Sequence, residues 1–260
     1  MGKTSAISAL NLPGRYTWSL AESIGPINML FILYSLPEKL HPGPSHDSSF
    51  VGTGLPAQNE ILGLLYVLHY LNRAVITPLF FAPSMSPIHA TVASMMATFQ
   101  FTNSSNIACW LVYSTINQDV HATNYPLALV GVLLFLLGLQ GNIMAEHKLF
   151  DLRRGAAKRK ARSEGKAVVT YDKVYVIPPA EGFFKYNLFP HYTLEWLEWT
   201  GYWILGGAVG LGWNTPALWF VIAELSSMLP RAVDGRKWYA GKFGEKRLGG
   251  RGGVLPVSWL

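Results

Sequence analysis

Apolar runs dominate this chain, and polar breaks punctuate them at long intervals. The apolar windows fall at about 16–36, 59–81, 88–114, 125–149, 192–213 and 215–233, each near or above the ~20 residues that carry a helix across a bilayer. The connections between them are 37–58, 82–87, 115–124, 150–191 and a short WNTP turn. This pattern predicts an all-α fold, a polytopic membrane helical bundle of about six transmembrane helices. Residues 1–15 are expected as a cytosolic N-terminal segment and 16–260 as a single membrane-embedded domain. The stretch 37–58, rich in Pro, Gly and Ser, reads as an irregular loop. Pro78 should bend or end the second window, because it removes a backbone hydrogen bond. Residues 155–168 read as a flexible basic stretch, "VYVIPPAEGFF" as an extended segment stopped by two prolines, and "RLGGRGG" as a mobile terminus.

Composition sharpens the membrane reading. Half of the 260 residues are hydrophobic and 14% are charged, against about 25% charged in soluble proteins, and the mean hydropathy is +0.22. Nine Trp, thirteen Phe and twelve Tyr suit helix ends at a lipid–water boundary. The net charge of +6 points to membrane lipids and not to nucleic acid, because of where the cations lie. Of 21 Lys and Arg, only Lys39 falls in the first, third or fifth connection, while the N-terminus, "RRGAAKRKARSEGK" and the C-terminal tail hold nearly all the rest. That alternation follows the positive-inside rule for an even number of spans and puts both termini in the cytosol. Cys109 is the single cysteine, so neither an intrachain disulfide nor a Cys-based zinc site is expected, and no metal is called for. Residues 1–15 are too polar, and too broken by Pro13, for a cleavable signal peptide.

Several polar side chains interrupt the apolar windows, and such groups usually face a bundle interior or a watery cavity. Asn142, Glu146 and Arg153 share one helical face at i, i+4 and i+11. His191, Glu195, Glu198 and Tyr202 form a second stripe, and Arg231, Gly235, Trp238 and Tyr239 a third. Three such stripes would wall a hydrophilic cavity open to the cytosol; the alternative is interhelical pairing, such as Glu146 with Arg153 or Glu195 with Arg231. An amide, carboxylates, guanidinium groups and tyrosines suit a nucleotide. No GxGxxG follows a strand, so a Rossmann site is absent and any dinucleotide must sit between helices. In "WSLAE", Glu22 shares a face with Trp18. Glu22, if protonated, and Tyr70 offer two donors for a carbonyl oxygen, as conjugate reduction of an enone requires.

With these residues in view, the chain resembles the steroid 5α-reductase family, enone reductases of the endoplasmic reticulum membrane. The ordered matches are W-x-L-x-E (Trp18, Glu22), H-Y-x-x-R (His69, Tyr70, Arg73), G-N-I-x-x-[DE] (Gly141, Asn142, Ile143, Glu146) and L-x-x-L-R (Leu149, Leu152, Arg153). They continue with Y-x-I-P (Tyr175, Pro178), E-x-x-E-W-x-G-Y (Glu195 to Tyr202), R-A then W-Y-x-x-K-F (Arg231, Trp238 to Phe243), and a terminal Leu255–Pro256. The resemblance implies that Glu22 and Tyr70 bind the substrate carbonyl and that Trp18 lines the lipid-side pocket. It implies NADPH as the cofactor, with Arg73, Asn142, Glu146, Arg153, Tyr175, His191, Glu195, Arg231 and Tyr239 as its contacts. Departures are a missing helix ahead of W-x-L-x-E, Glu146 in place of Asp, Gly235 in place of His, and His191 in place of Asn.

The expected reaction is reduction of the double bond of an apolar enone, a 3-oxo-Δ4 steroid or related terpenoid, entering from the bilayer of the endoplasmic reticulum into a multi-pass monomer. Hydride passes to the β-carbon while Glu22 and Tyr70 hold the oxygen. His69 is expected to pack or tune. Within the class, "PHYxxE" is closer to the polyprenal and trans-2-enoyl thioester branches. Outside it stand a membrane methyltransferase of the isoprenylcysteine carboxyl type, which usually shows R-H-P-x-Y where this chain has "PRAVDGRKWY", and a non-catalytic lipid binder.

Overall fold

Each long helix begins where the sequence supplies a start signal. Asn124 accepts a hydrogen bond from Leu127 N at 3.2 Å, and prolines occupy the first turns of the helices that follow Asn124, Phe189 and Thr215, where the missing N–H costs nothing. In the computed structural model, which describes residues 8–40, 49–115 and 123–255, the order is β1 (Asn11–Leu12), α1 (Gly14–Leu40), α2 (Ala57–Tyr70), a π-helical segment (Leu71–Phe81), β2 (Ile88–His89), α3 (Ala90–Tyr113), α4 (Tyr125–Ser163), a 3-10 turn (Gly182–Phe184), α5 (Pro190–Ala208), α6 (Pro216–Phe243) and α7 (Glu245–Leu248). The fold is thus an all-α membrane bundle. Among the described residues, Gly14–Leu40, Ala57–Phe81 and Tyr125–Ser163 are long and apolar enough to cross a bilayer. The remaining three apolar windows coincide with α3, α5 and α6. Among the described residues the one sheet is a two-residue antiparallel pair, Asn11 with His89 and Leu12 with Ile88, which ties the start of α1 to the start of α3. Residues 1–7, 41–48 and 116–122, and Pro256 of the terminal motif, lie outside the described residues.

Three local expectations are refined or corrected. The second window ends near Pro78 as expected, at Phe81, but through a change of helix type: α2 ends at Tyr70, and the chain continues as a π-helix through that proline, closing with Ala82 N to Thr77 O at 2.8 Å. The wider turn accommodates a residue that has no N–H to give. The basic stretch after residue 150 is not a flexible loop, since α4 runs on to Ser163. Ala, Lys and Arg are strong helix formers, Asp151 pairs with Arg154 at 2.8 Å, and Ala157 and Ala161 are buried on its inner side. The Gly-rich tail is not mobile as far as Leu255. Leu188 N and Phe189 N donate to Gly252 O and Gly253 O, both at 2.9 Å. Thr193 Oγ1 donates to Val254 O at 2.8 Å, and Arg236 Nε to Arg251 O at 3.0 Å. Gly249 takes φ 63° and Gly250 φ 75°, so the glycines serve the turn that sends the tail back under α5.

Close helix packing sets the depth of the interior. A Cβ at Gly138 of α4 would stand 2.5 Å from Glu198 N, and one at Gly201 of α5 would stand 2.5 Å from Phe135 N. Glycine on both sides brings the α4 and α5 backbones together and sets the acidic face of α5 beside Asn142. The core beneath is formed by Met29, Tyr66, Tyr70, Phe135, Trp199 and Tyr202, all buried. On the opposite side of the bundle, Glu60 pins the loop ahead of α2. Its carboxylate accepts from Ser49 Oγ, Phe50 N and Thr53 Oγ1, each at 2.7 Å.

Candidate active site

The last turn of α2 carries His69 and Tyr70, and the π-helix starts at the next residue. A π turn shifts the register of every side chain beyond it and recurs at functional sites. Here it delivers Arg73 between α1 and α5. Arg73 Nε lies 3.5 Å from Glu22 Oε2, and Arg73 Nη1 lies 3.1 Å from Glu195 Oε1. Trp18 covers the pair: its Nε1 donates to Arg73 O at 3.3 Å, and the guanidinium carbon sits 5.4 Å from its ring centroid. A charge taken from water needs such partners to be tolerated.

Both carboxylates have further ties. Gln100 on α3 donates from Nε2 to Glu22 Oε2 at 2.6 Å, and Asn142 donates from Nδ2 to Glu195 Oε2 at 3.2 Å. His69 bridges the two acids of α5, with Nδ1 2.7 Å from Glu198 Oε1 and Nε2 3.8 Å from Glu195 Oε1. The result is one continuous polar chain, Gln100–Glu22–Arg73–Glu195–His69–Glu198, joining α3, α1, the π segment, α5 and α2, with Asn142 of α4 attached at Glu195.

Of the two residues expected to bind the carbonyl, Glu22 enters this chain directly. Tyr70 is buried against Tyr66, His69 and Trp199, with ring centroids at 4.6, 4.9 and 6.3 Å. No hydrogen bond joins Glu22 to Tyr70, although the two lie within Coulombic range.

The predicted cofactor contacts divide between an inner and an outer group. Arg73, Asn142 and Glu195 meet in the chain above, and Glu146 is half-buried nearby, within reach of the Arg73 charge. His191 is buried, its ring 4.5 Å from that of Tyr192, with Nδ1 unpartnered. Farther out, Arg153 donates to Ser84 O at 3.4 Å and to Tyr171 O at 3.3 Å, clasping two connections. Tyr239 donates to Val176 O at 3.2 Å. Tyr175 packs edge-on against Trp238 at 5.0 Å, under Lys242 Nζ at 5.1 Å. Arg231 is exposed, and Gly235 is covered by the Phe189 ring. The third predicted stripe thus splits, with Tyr239 turned inward and Arg231 outward. Neither pair of the interhelical alternative, Glu146 with Arg153 or Glu195 with Arg231, forms; Glu195 pairs instead with Arg73.

An open cleft of about 520 Å³ lies at this outer end, lined by Tyr175, Pro178, Phe243 and the guanidinium groups of Arg159, Arg247 and Arg251. Arg251 holds its wall in place, donating from Nη1 to Pro178 O at 2.8 Å and to Phe184 O at 3.3 Å. Burial lowers the pKa of this guanidinium from its ordinary value without discharging it. The sequence reading left Gln100 and Arg251 without a role, and it did not pair His69, expected to pack or tune, with Glu198. Gln100 had a signal, an amide alone in "MMATFQF", an apolar helix.

Comparison with known proteins places the chain in a family. The family model described as 3-oxo-5-alpha-steroid 4-dehydrogenase matches residues 84–259. A Schizosaccharomyces pombe protein named "Uncharacterized protein C9.08c" is 31% identical over 94% of this chain and 84% of its own length. Steroid 5-alpha-reductase DET2 of Arabidopsis thaliana is 28% identical over 75% of this chain and 68% of its own length. The 3-oxo-5-alpha-steroid 4-dehydrogenase 1 of Macaca fascicularis is 27% identical over 85% and 74% respectively. With the family model matching residues 84–259 and these relatives covering most of its length, the protein belongs to the 3-oxo-5-alpha-steroid 4-dehydrogenase family, membrane oxidoreductases that act on a CH–CH bond.

Proposed function

We propose that this chain saturates a carbon–carbon double bond conjugated to a carbonyl, using NADPH, in an apolar substrate drawn from the bilayer. The substrate class is a 3-oxo-Δ4 steroid or a related terpenoid enone. The observation that carries this reading is Arg73, which ties Glu22, the carboxyl assigned to the carbonyl, to Glu195, a carboxylate assigned to the cofactor.

The residues present fit a nicotinamide dinucleotide. Glu195, Asn142 and Glu146 supply the acceptors and the amide that ribose hydroxyls and a carboxamide need, and the unpartnered His191 Nδ1 adds a ring nitrogen. Arg159 and Arg247 give the outer cleft the cations that phosphates require; Tyr175 lines it, and Tyr239 donates to the carbonyl of Val176 in its wall. When bound, the nicotinamide supplies hydride to the β-carbon of the enone.

The chain's own groups handle the oxygen. One guanidinium balances one carboxylate, and Glu195 is the nearer counter-ion to Arg73 at 3.1 Å against 3.5 Å for Glu22. Glu22 is thereby free to carry a proton on the oxygen that Gln100 leaves open, and to donate it to the carbonyl as enolate character develops. Tyr70, a phenol with a reference pKa of about 10, serves as the second donor. Trp18 closes the lipid side. Six spans, cytosolic termini, an endoplasmic reticulum location and a monomeric state complete the reading.

Microsomes expressing the chain, offered a panel of enones with NADPH and examined by mass spectrometry, test it. The expected result is a product two mass units heavier from one enone class. Failure to reduce any steroid, polyprenal or enoyl thioester would count against the reading.

A further inference from the structure

The run "RRGAAKRKAR" stays helical within α4, so Ala156 and Arg159, three residues apart, share a face. That face forms one side of the outer cleft. The connection from Tyr175 to Ala180 forms a second side, and Phe243 and Arg247, from the end of α6 and from α7, a third. The cleft holds about 520 Å³ of open space, within the roughly 300–1,000 Å³ of small-molecule sites. Three guanidinium groups line it, and among the described residues no carboxylate does.

The three arginines are not alike. Arg251 is 5% exposed and gives its N–H groups to the carbonyls of Leu248, Pro178 and Phe184, so it braces the wall. Arg159 and Arg247 are exposed, and neither guanidinium has a hydrogen bond or an acidic partner among the described residues. Cations beside them do. Arg154 pairs with Asp151, Lys160 with Glu164, and Arg236 takes Glu245, the acid nearest to Arg247 in sequence. A cleft lined by one sign of charge concentrates counter-ions. Two unpaired planar forks on one cleft suit a phosphate, which accepts paired N–H bonds from arginine.

Position along α4 decides which phosphate. Asn142 is joined to Glu195 at the inner chain, and Ala156 lies about 21 Å farther along the same helix at ~1.5 Å per residue. That rise matches the reach of an extended dinucleotide, so the adenosine end meets the cleft and the diphosphate lies behind it. We propose that the cleft seats the adenosine end of NADPH, and that Arg159 and Arg247 grip the phosphate on its ribose, the group that NADH lacks. Tyr175, Pro178 and Phe243 give the adenine an apolar wall. The proposal rests on the reductase reading with NADPH and deepens it. Neither arginine is among the contacts that the family resemblance implies, so selection between the two cofactors falls here to residues outside the shared motifs.

The test is binding without enone. Full-length protein in nanodiscs of zwitterionic lipid is titrated with NADPH and with NADH, read by nicotinamide fluorescence. Wild type should bind NADPH at least ~10-fold tighter than NADH. Arg159→Ala and Arg247→Ala should each weaken NADPH about tenfold and leave NADH within about twofold of wild type. Both side chains are exposed, so the variants should fold, which the elution profile and Tm check. Adenosine 2′,5′-bisphosphate should displace NADPH from wild type at a concentration where adenosine 5′-phosphate does not. The inference is overturned if wild type binds both dinucleotides equally, or if the variants weaken both alike or neither. It is also overturned if phosphatidic acid in the nanodisc competes with NADPH in wild type but not in Arg247→Ala, which would give the cleft to a lipid headgroup. Folded wild type that binds neither dinucleotide sinks the reductase reading as well.

Discussion

Arg73 contacts acids from two different helices, 3.5 Å from Glu22 and 3.1 Å from Glu195. At residue scale, the account depends on what those acids then do. On the proposed mechanism, Glu22→Gln replaces the acid by an amide that cannot release a proton, and Tyr70→Phe removes the second donor to the developing oxyanion. Each should lower kcat/KM by about 10²-fold, with NADPH affinity in a fluorescence titration unchanged. The double variant should bind NADPH and reduce nothing, and substantial turnover would remove both residues from the mechanism. Arg73→Lys keeps the charge but loses the planar fork that reaches two acids at once. We expect it to lose about tenfold or more in kcat/KM, and a wild-type value would dismiss the bridge. The H-Y-x-x-R spacing made Tyr70 and Arg73 legible in the sequence, and Asn142 and Glu195 followed from helical stripes. Gln100, and the pairing of His69 with Glu198 at 2.7 Å, were not legible. A single amide in a helix does not say which neighbour it faces, and a contact spanning the chain from α2 to α5 has no local signature.

Element scale explains most of the corrections. Apolar windows mark where lipid or core begins and ends, but a helix stops where its backbone runs out of partners. The windows therefore located the helices and stopped short of the ends of α4 at Ser163 and α6 at Phe243. Hydropathy is likewise blind to the change from α to π geometry at Leu71, because the residues on either side are equally apolar. The tail was misread for a similar reason: "RLGGRGG" has a loop's composition, yet three carbonyls capture its arginine. Arg251 donates to Leu248 O at 2.8 Å, Pro178 O at 2.8 Å and Phe184 O at 3.3 Å. Arg251→Ala removes charged hydrogen bonds worth roughly 1.5–3 kcal/mol each and should release the segment that carries Tyr175 and Pro178. The expected readouts are faster tryptic cleavage after Lys185, which is exposed in the wild type, and a roughly tenfold weaker NADPH affinity. Unchanged cleavage and affinity would show that the strap does not shape the cleft.

Across the whole molecule, the two halves meet at the polar chain. One half, from α1 through α3, brings Glu22, Gln100, His69, Tyr70 and Arg73; the other, from α4 to the tail, brings Asn142, Glu195, Glu198 and the outer cleft with its arginines. The all-α membrane class was legible because hydropathy and charge alternation act over whole spans. How the two halves interlock was not, since it depends on glycines such as Gly138 and Gly201 that let α4 and α5 touch backbone to backbone. On the proposed topology, which puts the basic end of α4 in the cytosol, trypsin added outside sealed microsomes should cut between Lys158 and Lys166 without detergent. Protection until the membrane is opened would reverse the topology. The most direct test of the central claim is isotopic. Purified protein in nanodiscs, given an enone and NADPH deuterated at the transferable position of the nicotinamide, should place that deuterium on the β-carbon, with the α-hydrogen drawn from solvent. A saturated product without the label, or no saturated product across the enone panel, would contradict the account.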